Sequence, residues 1–223
     1  EAIAYASQYV DDATEGDPVQ PFEDQRFDPV RTAHYGLWGL GWDTQRKVYL
    51  PFHFLPPHAR TRDPRRFSYI TECATGAAGE LATDLIEAAL LERDAPFRLI
   101  RLGVALHTIA DTFAHFGFSG RWHDENDVEA IHLCNGDSKQ VLQDTFLAYA
   151  DIFVPRIGHL EAFALPDLPY LKWRYRDHDA VEHVRNNLES SLRGAELIYY
   201  FLNCAQDLVD SVSSMRAVLG TPT

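Results

Sequence analysis

Lysine, cysteine and long apolar runs are all scarce in this chain. Lysine occurs only at Lys47, Lys139 and Lys172, so nearly all positive charge is arginine, which suits fixed, bidentate contacts with anions. Acidic residues outnumber basic ones 33 to 20, a net charge of −13. A field of that sign repels polyanions, which excludes a broad nucleic-acid-binding surface but leaves room for a local cationic pocket. The three cysteines, Cys73, Cys134 and Cys204, are far apart and form no CxxC pair. That excludes a zinc ribbon or a thioredoxin-type site, and so sparse a count fits a reducing, cytoplasmic compartment. No apolar run approaches the roughly 18 residues of a membrane span; Ile198 to Cys204 is the nearest. Phosphate-binding glycine loops, GxSxG and GxGxxG are absent too, so nothing points to a nucleotide cofactor. The sequence opens at Glu1 rather than methionine, and a processed leader is compatible with that.

What is present is an ordinary globular composition: 223 residues, 46% hydrophobic and 24% charged. Such a chain can bury one core without staples, and we expect one compact domain over residues 1–223. The periodicity predicts an all-α fold of five or six helices with long loops. Residues 1–13 form an apolar helical stripe ending in Asp11–Asp12. Residues 14–30 read as a loop, and Asp28–Pro29 starts a short helix through His34 to Leu40. Lys47 to Phe54 is at best extended, because of Pro51 and Pro56–Pro57. Residues 65–93 read as one helix, broken near Gly76 and Gly79. The next helix runs from Asp94–Ala95–Pro96 to about Phe118. Residues 121–137 are irregular, 138–155 helical, 156–176 a long packed loop, and 177–219 one long helical pattern or two helices in line. No repeat or linker interrupts the chain.

The sharpest chemical signal is the segment RLGVALHTIADTFAHFGFSG, residues 101–120. His107, Asp111 and His115 recur every four residues, which places them on one helix face. At about 1.5 Å rise per residue the two histidines are roughly 12 Å apart along the axis, too far to share one ion. An aspartate bridging two metals, with a histidine on each side, fits better, since two-metal sites hold ions about 3.5–4 Å apart. The flanking residues are apolar or small nearly all round, so this carboxylate is buried and needs compensation, for which a metal is one source. A core of hydrogen-bonded histidines is the plainer alternative.

Further ligands have to come from elsewhere. Asp11 and Asp12 place negative charge at a helix C-terminus, against the macrodipole, which suggests a functional reason for one of them. His34 in RTAHYG and His53 in PFHFLP are candidates, the latter as ligand or as satisfied core residue. His159 in RIGHLEAFALPDLPY follows a glycine that allows close backbone approach. His178 and Glu182 form a second four-spaced pair, better read as helix-end charges. His58 and His123 are expected to face solvent, and His132 is undecided.

These residues resemble a known group. The segments ASQYVDDAT, RTAHYG, PFHFLP, ALHTIADTFAHFGFSG and RIGHLEAFALPDLPY are similar to an uncharacterised bacterial family, DUF6765. More remotely, a His-x3-Asp helix in a helical domain resembles the zinc-dependent phospholipase C and P1-type nuclease superfamily. That resemblance implies a zinc cluster bridged by Asp111 beside His107, with Asp11 or Asp12 and His34 or His53 as further ligands.

The expected function is therefore a metal-dependent phosphoesterase acting on a small-molecule or phosphodiester substrate. Two divalent ions, zinc by expectation, are bridged by the catalytic Asp111. His107 and an early aspartate hold one ion, and His115 with His159 the other. Arg121 or Arg156 would neutralise developing charge. Iron or manganese on the same ligands would instead make an oxygen-using enzyme, and a helical interaction domain with a vestigial site is a third reading.

Overall fold

A computed structural model describes residues 1–14, 19–22, 25–27, 30–33, 40–57, 68–91, 97–134 and 156–206. The helix expected over 138–155, the end of the last helix beyond 206, His58 and most of the short helix around His34 lie outside them.

The architecture is mixed rather than all-α. Helices α1 (Ala2–Asp12), α3 (Glu80–Leu91), α4 (Arg98–Ala114) and α5 (Asn187–Gln206) are joined by a short turn, α2 (Trp42–Thr44). Strands β1 (Val19–Phe22) and β2 (Gln25–Phe27) pair as an antiparallel ribbon. Strands β3 (Glu129–Leu133), β4 (Lys172–Arg176) and β5 (Glu182–Asn186) form an antiparallel sheet with β4 in the middle. Besides the β1–β2 ribbon within the expected loop 14–30, the all-α expectation fails at three places. The region 121–137 contains β3, the loop 156–176 ends in β4, and 177–186 is the β4–β5 hairpin rather than helix. In β4, Lys172, Arg174 and Arg176 are exposed while Trp173 and Tyr175 are buried, the period-two pattern of a strand with one covered face.

Two other expectations change. Among the described residues of 65–93, only Glu80–Leu91 is α-helix, preceded by a 3-10 turn at Gly76–Gly79. The segment Lys47 to Phe54, expected to be at best extended because of Pro51 and Pro56–Pro57, falls almost wholly in a π-helix, Gln45–His53. In an α-helix the proline ring clashes with the carbonyl four residues back. In the wider π turn that carbonyl is not the partner: the Phe54 N–H bonds Tyr49 O, five residues back, at 2.8 Å. His53 is carried on the last position of this element.

Helix α4 is the central element, with α1, α3 and α5 packed along it. Ile86, Leu90, Leu102, Ile109, Phe113 and Phe201 join these helices in one apolar core. Trp173, Tyr175, Leu171, Phe118, Leu165 and Phe54 make a second core under the sheet. At about 25 cal/mol per Å2 of apolar surface, each fully buried large side chain contributes roughly 1.5–3 kcal/mol before entropy is set against it. Phe113 of the first core and Phe54 of the second both line one cavity, so that cavity lies where the two cores meet.

Candidate metal centre

Four segments converge on α4 at this cavity. Helix α1 delivers Asp11 from its last turn. Its end is tied to residues 32–33: Ala13 O accepts the N–H of Thr32 (3.0 Å) and of Ala33 (3.2 Å), and the Thr32 hydroxyl donates to Val10 O at 2.7 Å. The Thr32 carbonyl is thereby fixed, and it accepts from His53 Nε2 at 2.6 Å. The π-helix places His53, α4 supplies His107 and Asp111, and the segment 156–168 supplies His159 and Asp167.

Two groups of ligand atoms result, each with members within 4.8 Å of one another: Asp11, His53 and His107, and His115, His159 and Asp167. Asp111 belongs beside the first. Its Oδ2 is 3.1 Å from His53 Nδ1, 3.2 Å from His107 Nε2 and 3.6 Å from His115 Nδ1. Asp11 Oδ1 lies 3.5 Å from His107 Nε2 and 3.8 Å from His53 Nδ1. In the second group His115 Nε2 is 2.9 Å from Asp167 Oδ1, and His159 Nε2 is 3.5 Å from Asp167 Oδ2.

Three of these imidazoles share one arrangement. A carbonyl can only accept, so the ring nitrogen facing it carries the proton. His53 donates from Nε2 to Thr32 O, His115 from Nδ1 to His53 O at 2.8 Å, and His159 from Nδ1 to Phe163 O at 2.7 Å. In each neutral ring the other nitrogen then presents a lone pair, and in each case it faces a carboxylate. Lone pair against anion is repulsive unless a proton or a cation stands between them. A backbone acceptor on the outer nitrogen is also how metal-binding histidines are held. Phe163 reaches this role with φ at 53° and ψ at −138°, a backbone conformation that is costly for a bulky residue and that clusters at functional sites.

The charges act on one another accordingly. Burial pushes the Asp111 carboxyl up, but His115, His107 and His53 outweigh it and hold the group well below the usual carboxylate range. Burial pushes His115 down, yet Asp111 and Asp167 raise it to about 9. His107 moves the same way: burial works against its charge and Asp111 and Asp11 prevail. Asp11 is raised by burial, with Asp111 adding to it. His159 is lowered by burial, against the pull of Asp167. Asp167 is lowered, because His159 and His115 overcome the effect of burial.

Most of the sequence candidates are brought together here. Asp11, His53, His107, Asp111, His115 and His159 all contribute. Asp12 lines the cavity but is in neither group, and His34 lies outside the described residues. His178 pairs with Asp179 at 3.3 Å and Glu182 faces Arg174 at 3.6 Å in the hairpin, so they form no helical pair. His123 and His132 are exposed. Asp167 was missed; its signal is a carboxylate in the His159 loop, eight residues on. Helix α4 also ends at Ala114, not Phe118, and His115 is its C-cap, with its N–H still on Asp111 O at 2.7 Å. Neither expected arginine lines the cavity. Arg121 is clamped on Glu125 at 3.0 and 2.8 Å, and Arg156 engages Asp124, Asp127 and Glu161.

The cavity has a volume of about 780 Å3. Its lining also includes the apolar residues Ala110, Ala114, Gly194, Ala195 and Ile198, most of them small. No lysine or arginine is among the described lining residues. No helix among the described residues is long and apolar enough to cross a membrane.

A model of a family of unknown function, DUF6765, matches residues 1–219. No curated protein and no solved structure matches the chain, so the remoter likeness to phospholipase C and P1-type nucleases rests on its residues alone.

Proposed function

The chain belongs to the DUF6765 family, whose activity is unknown, and from its own site we propose that it is a metal-dependent hydrolase, most simply a phosphoesterase. Asp11, His53 and His107 would hold one divalent ion, His115, His159 and Asp167 a second, with Asp111 beside the first and facing the second. One observation carries this reading: His53, His115 and His159 each commit one ring N–H to a backbone carbonyl and aim the other nitrogen at a carboxylate. Three carboxylates and four imidazoles can hold two divalent ions near electrical neutrality. The nitrogen and oxygen donors suit zinc, and iron or manganese as well.

Two such ions, when bound, would activate a water near neutral pH and polarise an ester oxygen. The protein's own part is orientation: the Thr32, His53 and Phe163 carbonyls fix three rings, and His115, His107 and His53 keep Asp111 ionised against the effect of burial. With no cationic side chain described in the cavity wall, charge developing on a phosphoryl group would have to be met by the ions. The small apolar wall accommodates an uncharged remainder of a small ester better than a polyanionic chain.

Elemental analysis of untagged protein purified without chelator tests the reading. Two metal equivalents per chain are expected, falling to at most one in Asp111→Asn with loss of diesterase activity. Full metal content and activity in Asp111→Asn, or a metal-free wild type, would overturn it. Iron at that stoichiometry would move the chemistry to oxygen use.

A further inference from the structure

Arg185 lies on β5 opposite Trp173 and is 2% exposed. Among the described residues no carboxylate forms an ion pair with it. A guanidinium taken out of water without such a partner is costly, so what compensates it identifies its task. Its Nη1 donates to Phe116 O and its Nη2 to Ala114 O, and its carbon sits 3.8 Å from the Phe116 ring centroid. These are carbonyls on either side of His115, at a helix C-terminus whose dipole favours a cation.

We infer that Arg185 is a positioning residue that assigns His115 to the second metal group, an inference that rests on the two-metal reading above. An α-helix continuing past His115 would use the Ala114 carbonyl for the N–H of Phe118. Arg185 holds that carbonyl, and the Phe118 N–H bonds His115 O instead, at 3.1 Å. Helix α4 therefore stops at Ala114, and Gly117 turns the chain away at φ 85°. His115 itself stands one turn above Asp111, its N–H on Asp111 O at 2.7 Å. The carbonyls clamped on either side of it fix its backbone in the place from which Nδ1 meets His53 O and Nε2 meets Asp167. Two donors in a rigid fork set this geometry, which a lysine cannot copy.

The test is zinc titration of the full chain after chelator stripping. Wild type is expected to bind two equivalents and His115→Ala one. Arg185→Met should keep the first at wild-type affinity and bind the second at least about tenfold more weakly, the usual loss on removing an outer-shell partner. Adding Arg185→Met to His115→Ala should cost nothing further. Unchanged affinity at both sites, or equal weakening of both, would overturn the inference. Arg185→Lys should fall between wild type and Arg185→Met. If neither variant folds by circular dichroism, Arg185 serves the fold alone and the inference is wrong. A wild type that binds no zinc removes the two-metal reading, not the geometry. In that case NMR of the metal-free protein decides. The His115 Nδ1 proton should be protected from solvent exchange in wild type and lose that protection in Arg185→Met. Equal protection in both would overturn the inference.

Discussion

A neutral imidazole has one proton to donate, and His53, His115 and His159 each give it to the backbone. Without metal, a second proton must separate His115 from its carboxylates, which is why that ring is raised to about 9 from an ordinary 6.5. A group raised in the folded state adds stability that is fully present below its unfolded value and is lost as pH climbs through the folded one. The metal-free chain is therefore expected to weaken between pH 6.5 and 9, by on the order of 3 kcal/mol. The metal-loaded chain should stay level there, because the ion takes the proton's place. Urea midpoints at pH 6 and 9, with and without chelator, check this; parallel curves would contradict it. Much of the site was legible at this scale. The spacing of His107, Asp111 and His115 marked the helix, and the unfavourable acidic end of α1 marked Asp11 or Asp12. What could not be read was which of that pair faces inward, since α1 is amphipathic and one residue is 100° of rotation. Asp167 was equally hidden, because pairing it with His115 depends on a loop with no period.

Two glycines hold two elements in place, and they divide the site between them. A Cβ on Gly103 of α4 would come within 2.4 Å of Ile3 O and 2.7 Å of Ala6 Cβ on α1. Gly103→Ala should push α1 outward, destabilise by about 1–3 kcal/mol, and weaken the ion beside Asp11 while sparing the other. Gly158 has φ at 57°, and a Cβ there would meet the Phe54 ring at 2.2 Å. Gly158→Ala should displace His159 and weaken only the second ion. Zinc titrations of the two variants should therefore show opposite losses; the same loss in both would refute the division. Elements were less legible than ligands. The KWRYR alternation of β4 is a period-two pattern that a helical reading of its neighbours obscured. In β5 the residue turned inward is Arg185, so hydropathy points the wrong way. At the π-helix, the prolines of Lys47 to Phe54 pointed only to an extended segment, and the wider turn that accommodates Pro51 has no periodic signal of its own.

Across the whole molecule, the two ligand groups join segments far apart in sequence, from Asp11 in α1 to Asp167 in the loop before β4. Ions bound only by the folded chain stabilise it by mass action, about 2.7 kcal/mol for each at a hundredfold excess over its dissociation constant. The thermal midpoint should accordingly rise with added zinc and fall with chelator. A midpoint indifferent to both would mean that neither group binds in solution. The same layout sets an order of events during synthesis. A ribosome releases Asp11, His53, His107 and Asp111 before any of His159, Asp167 and Arg185, and chains organise from the N-terminal side as they emerge. On the two-metal reading, the residues for the first ion would all be present before His159 and Asp167 are made. The second ion would have to follow the first, so the two sites would fill in a fixed order.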